Sequence, residues 1–262
     1  MNQIPNSQFL TDYTLHLADN ALILAQRNSE WCGHGPVLEQ DIAITNISLD
    51  ILGQARNFYQ YAAELINQST NQQDTLATED TLAYLRDNRE FKNCLLVEIE
   101  NGDWAKTIMR LFIFSNYQYL LYTALQHNKD EQLAAIAAKA LKEVTYHLQW
   151  SSEWVIRLGD GTEESHQRIE HAIEELWPYV GELFIMADYE THLLNENISV
   201  DLSSLKDKWL EKTTAIFDEA TLKVPENVFV QTGGKNGIHT EHLGYILAEM
   251  QFMQRAYPNS VW

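Results

Sequence analysis

What most constrains this chain is the scarcity of helix breakers. Only 5 prolines and 11 glycines occur in 262 residues, and they gather at a few points, so long stretches run without interruption. Over 37–66, Ile42, Leu49, Leu52, Phe58 and Leu65 recur with the 3.6-residue period of an amphipathic helix. A first helix is expected over 10–28, carrying Tyr13, Leu17 and Leu24, before the break WCGHGP. Beyond a polar linker over 67–74, a short helix follows over 75–87. Asp103 can cap a helix over 103–127 with an aromatic face of Phe112, Tyr119 and Tyr122, and another spans 129–158 up to the turn GDG. Thr162 can cap one over 162–196, with Pro178 a kink or local break inside it; helices over 203–220 and 240–256 complete the chain. No segment shows the two-residue alternation of a strand.

The class is therefore all-α. The segments 10–28, 37–66, 103–127 and 129–158 form two helical hairpins joined by a longer crossover. This is the plan of a ferritin-like four-helix bundle with additional C-terminal helices, expected as a single domain over 1–262.

Composition narrows the function. Lys and Arg total 18 against 37 Asp and Glu, a formal charge of -19, which argues against a nucleic-acid or anionic-membrane surface. No run is apolar enough for a membrane span, and the N-terminus lacks the layout of a signal peptide, so a soluble cytoplasmic protein is expected. Cys32 and Cys94 form no metal-ligand or redox spacing and read as reduced, structural thiols. The 7 Trp and 12 Tyr require either core or partner surface.

A bundle of this kind can hold two irons when two helices each give a Glu and the other two each give Glu-x-x-His. In the fourth helix the pair is Glu143 with His147, one position too far, and Tyr146 stands where the ligand would; one residue turns a side chain by about 100° around the axis. In the second helix the matching position holds Asp50 with Gly53 three residues on. The first helix offers Asp19, and the third has no acidic residue between Trp104 and His127. The one literal match, Glu163 to His166, lies at a helix start and reads as capping chemistry. Asp19, Asp50, Glu143 and His147 are thus expected to be remnants, with no catalytic or metal residues in this chain.

Three other stretches carry weaker signals. HTEH over 239–242 reads as a helix start capped by Thr240, and TGGKNG over 232–237 resembles a phosphate cradle without the spacing of a P-loop. RDNREFKN gathers Arg86, Arg89 and Lys92, either as a solvated charged face or as a contact for an anionic ligand or acidic partner.

The stretches EWCGHGP, LDILGQARNFYQYAAEL, DTLAYLRDNREFKNCLLVEIENGDW, AAKALKEVTYHL and TGGKNGIHTEHLGYILAEMQFMQR resemble the non-catalytic C subunits of bacterial phenylacetyl-CoA 1,2-epoxidases, from about Tyr13 to Trp262. The resemblance implies a ferritin-like structural subunit of a multicomponent monooxygenase. The catalytic di-iron partner holds the iron, a reductase component supplies electrons from NADPH, and the complex epoxidises the ring in aerobic phenylacetate degradation. It implies no cofactor in this chain, further epoxidase subunits as partners, and at most minor contact with phenylacetyl-CoA. Those contacts are expected at Glu90, Phe91, Lys92 and Asn93, with Thr191, His192 and Leu193 as second candidates. The N-terminal MNQIPNSQF and the linker NQSTNQQDTLATED depart from the family pattern. Two rival readings are a self-sufficient di-iron oxygenase with atypical ligands and a stand-alone acyl-CoA-binding module.

Overall fold

Two helices are buried almost all round, and the rest of the chain wraps them. The computed structural model describes residues 6–69, 76–258 and 260. Within them α1 (Asn6–Ser29) buries Tyr13, Leu17, Ala18, Ala21 and Ile23, and α5 (Trp104–Leu125) buries Ile108, Met109, Phe112, Ile113 and Leu121. α5 lacks a wide polar face and must be enclosed, while α1 buries polar groups that are paired inside the fold. α2 (Leu38–Ser69) packs along α1, and α6 (Glu131–Gly159) along α5, each pair joined by a short turn; α2 also meets α6. The crossover carries α3 (Glu79–Tyr84), a 3-10 turn over Asn88–Glu90, and α4 (Leu95–Glu98). α7 (Glu163–Leu176) and α9 (Ser203–Glu219) close over α5 and α6, α8 (Asp188–Leu194) over α1, and α10 (Glu241–Met250) against α4, with α11 (Phe252–Ala256) last. No strand occurs among the described residues, and the arrangement is the all-α, ferritin-like one expected. No helix among them is long and apolar enough to cross a membrane.

Short polar contacts set the helix starts. Asp130 caps α6 by accepting the Leu133 N–H at 2.9 Å, and its second oxygen takes the Tyr61 hydroxyl of α2 at 2.6 Å, so one carboxylate also ties the two hairpins together. Asp103 caps α5 through the Lys106 N–H at 3.0 Å, as expected.

Several expectations need correction. The helix predicted over 162–196 breaks at Pro178, as expected, but the break is wider than a kink: the helix ends at Leu176, Pro178 lies in a 3-10 turn over Trp177–Tyr179, a second turn covers Gly181–Phe184, and α8 resumes the helix. The proline ring and its missing N–H halt the helix, and the Pro178 carbonyl accepts from the Gln231 N–H instead. The helix predicted over 240–256 breaks at Gln251, whose buried side chain donates to the Ala83 and Arg86 carbonyls. The helix predicted from residue 75 starts at Glu79 behind a Thr78 cap; residues 70–75, including Thr75 and most of the polar linker, lie outside the described residues, as do 1–5.

The face of α2 is the largest revision. Phe58 is buried, but Ile42, Leu49 and Leu52 are 52%, 61% and 43% exposed; the core side is Ile44, Ile47, Ile51, Ala55, Phe58 and Ala62. The helix therefore carries two apolar stripes, and periodicity alone found the outer one. Beside it Gly53 is exposed, and a Cβ there would meet nothing within 4 Å. Gly53→Ala is therefore expected to stabilise the free chain by about 0.5–1 kcal/mol, read as a rise in the thermal midpoint; a fall would show that the glycine serves the fold.

The aromatic surplus is mostly internal. Trp31, Trp150 and Trp154 surround Trp104 edge-on with centroids 5.1–6.1 Å from it, and Trp177, Trp209, Phe184 and Phe217 form a second cluster. Cys32 is exposed and Cys94 buried, both as free thiols.

Candidate functional site

Asp19 lies midway along α1, is fully buried, and is already saturated. Its carboxylate accepts the Tyr59 hydroxyl at 2.5 Å, the Lys92 N–H at 2.8 Å, and both terminal nitrogens of Arg86. A carboxylate offers about four lone-pair sites, and here four donors fill them. Burial works to lower the Arg86 pKa, but Asp19 and Tyr59 outweigh it and hold the guanidinium above its ordinary value. Burial, then Asp19, pushes Tyr59 well up. The RDNREFKN stretch is thereby resolved: Arg86 is neither solvated nor open to a ligand, while Arg89 is exposed.

The other remnants lie between α2 and α6. His147, one position past the ligand slot, is fully buried, while Tyr146, which occupies that slot, is 50% exposed. The buried side of α6 runs through Val144, His147, Leu148 and Ser151, which leaves the Glu143–Tyr146 side at the rim. The His147 Nε2 sits 3.1 Å from Asp50, and Glu143 accepts from the Gln54 amide at 2.9 Å. The polar interior of α5 serves packing: the Asn116 amide donates to the Trp209 carbonyl and the Thr213 hydroxyl, tying α9 in place. Among the described residues, no three or more His, Cys, Asp or Glu side chains gather to hold a metal ion. Binding would require Asp19 to leave Arg86 and a second carboxylate that α5 does not supply.

The densest chemistry is a junction that sequence reasoning missed, where buried carboxylates hold the crossover and the C-terminal loops. Glu182 accepts the N–H groups of Gly233 and Gly234 at 2.8 Å each and of Leu95 at 2.6 Å. TGGKNG is thus an anion cradle, and its anion is a side chain of this chain. Gly234 is obligatory, because a Cβ would stand 2.2 Å from the Asn93 carbonyl. Lys235 is buried and pairs with Glu190 at 3.0 Å. Glu98 takes the Thr240 N–H at 2.6 Å, the Thr240 hydroxyl at 2.8 Å and the His239 ring at 2.8 Å. Thr240 therefore stands at the start of α10, but its hydroxyl bonds Glu98 rather than capping the helix. Burial works to lower the His239 pKa, and the Glu98 partner reverses this to a net rise. Glu163 and His166 belong to a helix start, as expected, where Thr162 and Ser165 form a capping box.

The seven proposed substrate contacts divide by burial. Phe91, Asn93 and Leu193 face inward: Phe91 stacks under Arg86 at 4.2 Å, and Asn93 bonds Glu98 at 2.8 Å. Glu90, Thr191 and His192 are exposed and Lys92 is half-buried. The fold brings the two groups together beside α1. Lys92 lies 3.7 Å from Asp12 and 5.4 Å from the Tyr189 ring centre, and His192 stacks on Phe9 at 4.2 Å.

Comparison with known proteins agrees along the whole length. The family model described as "Phenylacetic acid catabolic protein" matches residues 2–262, a wider span than the motif likeness over 13–262. The chain is 49% identical over 253 residues to the C subunit of the 1,2-phenylacetyl-CoA epoxidase of Escherichia coli (strain K12), covering 97% of this chain and 99% of that protein. A match of that extent, on a helical bundle with the arrangement described, means that this chain belongs to the phenylacetic acid catabolic protein family.

Proposed function

We propose that this chain is a subunit of a phenylacetyl-CoA epoxidase, that it holds no iron, and that it stabilises a homologous catalytic subunit which does. The observation that carries the reading is Asp19, whose four acceptor positions are all taken by donors of its own chain. The 49% identity to an epoxidase C subunit supports the assembly, and the role in aerobic phenylacetate breakdown fits a cytoplasmic complex fed with electrons from NADPH by a reductase component. Glu90, Lys92, Thr191 and His192 form the surface through which it makes minor contact with phenylacetyl-CoA. Metal analysis and turnover of the purified chain test the reading. The expected result is no stoichiometric iron and no epoxidation alone, with activity recovered on adding the partner subunits. A pair of irons per chain, or epoxidation by this chain with reductase only, overturns it.

A further inference from the structure

The outer side of α2 carries a regular apolar stripe exposed to solvent. Leu38, Ile42, Thr45, Leu49, Leu52 and Arg56 alternate at four and three residues, the spacing of a coiled-coil seam, and the four apolar members are 43–71% exposed. Scattered apolar residues on a surface need no explanation, but a continuous stripe at seam spacing does. It borders two adjoining grooves against α1 and α3, about 440 and 260 Å³, that share Leu22, Leu49, Leu52 and Tyr84. Gly53 sits on the same side, exposed in mid-helix with no neighbour to require it. A glycine there weakens the helix and gains nothing within the chain, so its use lies in letting another backbone approach closely.

The charges choose the occupant. Glu39 and Asp50 flank the stripe on one side, Glu79 and Asp80 line the groove on the other, and the one basic residue of the seam, Arg56, is 3.5 Å from Glu79. A second copy would set acidic rim against acidic rim in a chain already at -19. We infer that the outer stripe of α2 with its flanking groove docks an amphipathic helix of a different subunit, one with an apolar seam and Lys or Arg on both flanks. Resting on the function proposed above, that subunit is the iron-bearing partner.

The test uses the full chain co-expressed with the other epoxidase subunits. Gly53→Arg and Leu49→Glu are expected to weaken capture of the iron-bearing partner at least tenfold while the thermal midpoint of the free chain holds. Tyr245→Ser on α10, also exposed, is expected to leave capture unchanged. Amide exchange on the unmodified complex, which needs no variant to fold, is expected to show slowed exchange across 38–56. Wild-type capture with both variants intact, or no slowing over 38–56, overturns the inference while leaving the subunit role standing. Loss of wild-type capture itself overturns the subunit role. A homodimer of the isolated chain that Leu49→Glu dissolves identifies a second copy as the occupant and overturns the assignment to a different subunit.

Discussion

Replacing Asp19 by alanine is expected to lower the stability of the chain by about 3–5 kcal/mol, because it leaves the Arg86 guanidinium buried without its counter-charge. Both partners are inside, Asp19 at 0% and Arg86 at 8% exposure, so water cannot take the place of the lost contact. The Tyr59 hydroxyl keeps only its contact with Arg86, at 3.1 Å, and the Lys92 N–H loses its acceptor. The loss is comparable to a large part of the total stability of an ordinary domain, so the variant should unfold at a much lower urea concentration. Asp19→Asn, which keeps the shape and some hydrogen bonds, should fall between. Asp19→Leu combined with Arg86→Met should recover most of the loss, since an apolar pair of similar bulk carries no desolvation penalty. A single-variant cost below about 1 kcal/mol would mean that Arg86 finds another acceptor or reaches solvent. It would also weaken the case that Asp19 is committed to its own chain and closed to iron.

What the sequence discloses depends on the range of the interactions. Helices α1, α2, α5 and α6 are legible because their evidence is local: apolar spacing, an Asp at a cap, and few breakers between. The side of α2 that faces the core is not legible, since Ile44 and Ile51 form one stripe and Ile42 and Leu49 another, and only packing tells them apart. The junction is hidden for a different reason. Glu98, Glu182 and Glu190 bond backbone N–H groups and side chains that are, for Glu98 and Thr240, 142 residues away in sequence. A signal was nonetheless present: Glu98 lies inside LLVEI and Glu182 inside VGELF, and a charge in so apolar a run must be paired when it is buried. His147 illustrates the limit of motif reading. A ligand spacing can be tested on paper, but the rotation of α6 that buries His147 and exposes Tyr146 is set by its packing on α5.

His16 supplies the second large effect, as a dependence on pH. Its ring is buried on α1 and fully satisfied in the neutral form: the Lys92 carbonyl can only accept, so Nδ1 carries the hydrogen at 2.7 Å, and the bare Nε2 accepts from the Asn20 amide at 3.1 Å. A proton added at Nε2 would oppose that amide and place a charge where water cannot reach it. Burial accordingly lowers the His16 pKa from 6.5 to about 4, with Glu190 pulling upward at 3.9 Å and Lys235 pushing down. Between those two values the unfolded chain binds a proton that the folded chain refuses. Stability therefore increases with pH across the window, and about 3 kcal/mol is lost as the medium is acidified from 6.5 to 4. His239 acts in the opposite sense: its raised pKa gives stability that is complete below 6.5 and fades as pH climbs through its folded value. Carboxylates elsewhere add their own acid dependence, so the contribution of His16 is isolated as a difference between wild type and His16→Gln, measured by urea unfolding from pH 7.5 to 4.5. The wild-type curve should fall more steeply by close to one proton over the window, and the two should run parallel above pH 7. Parallel curves throughout would mean that the imidazole is protonated inside the fold, with Glu190 rather than burial deciding its charge.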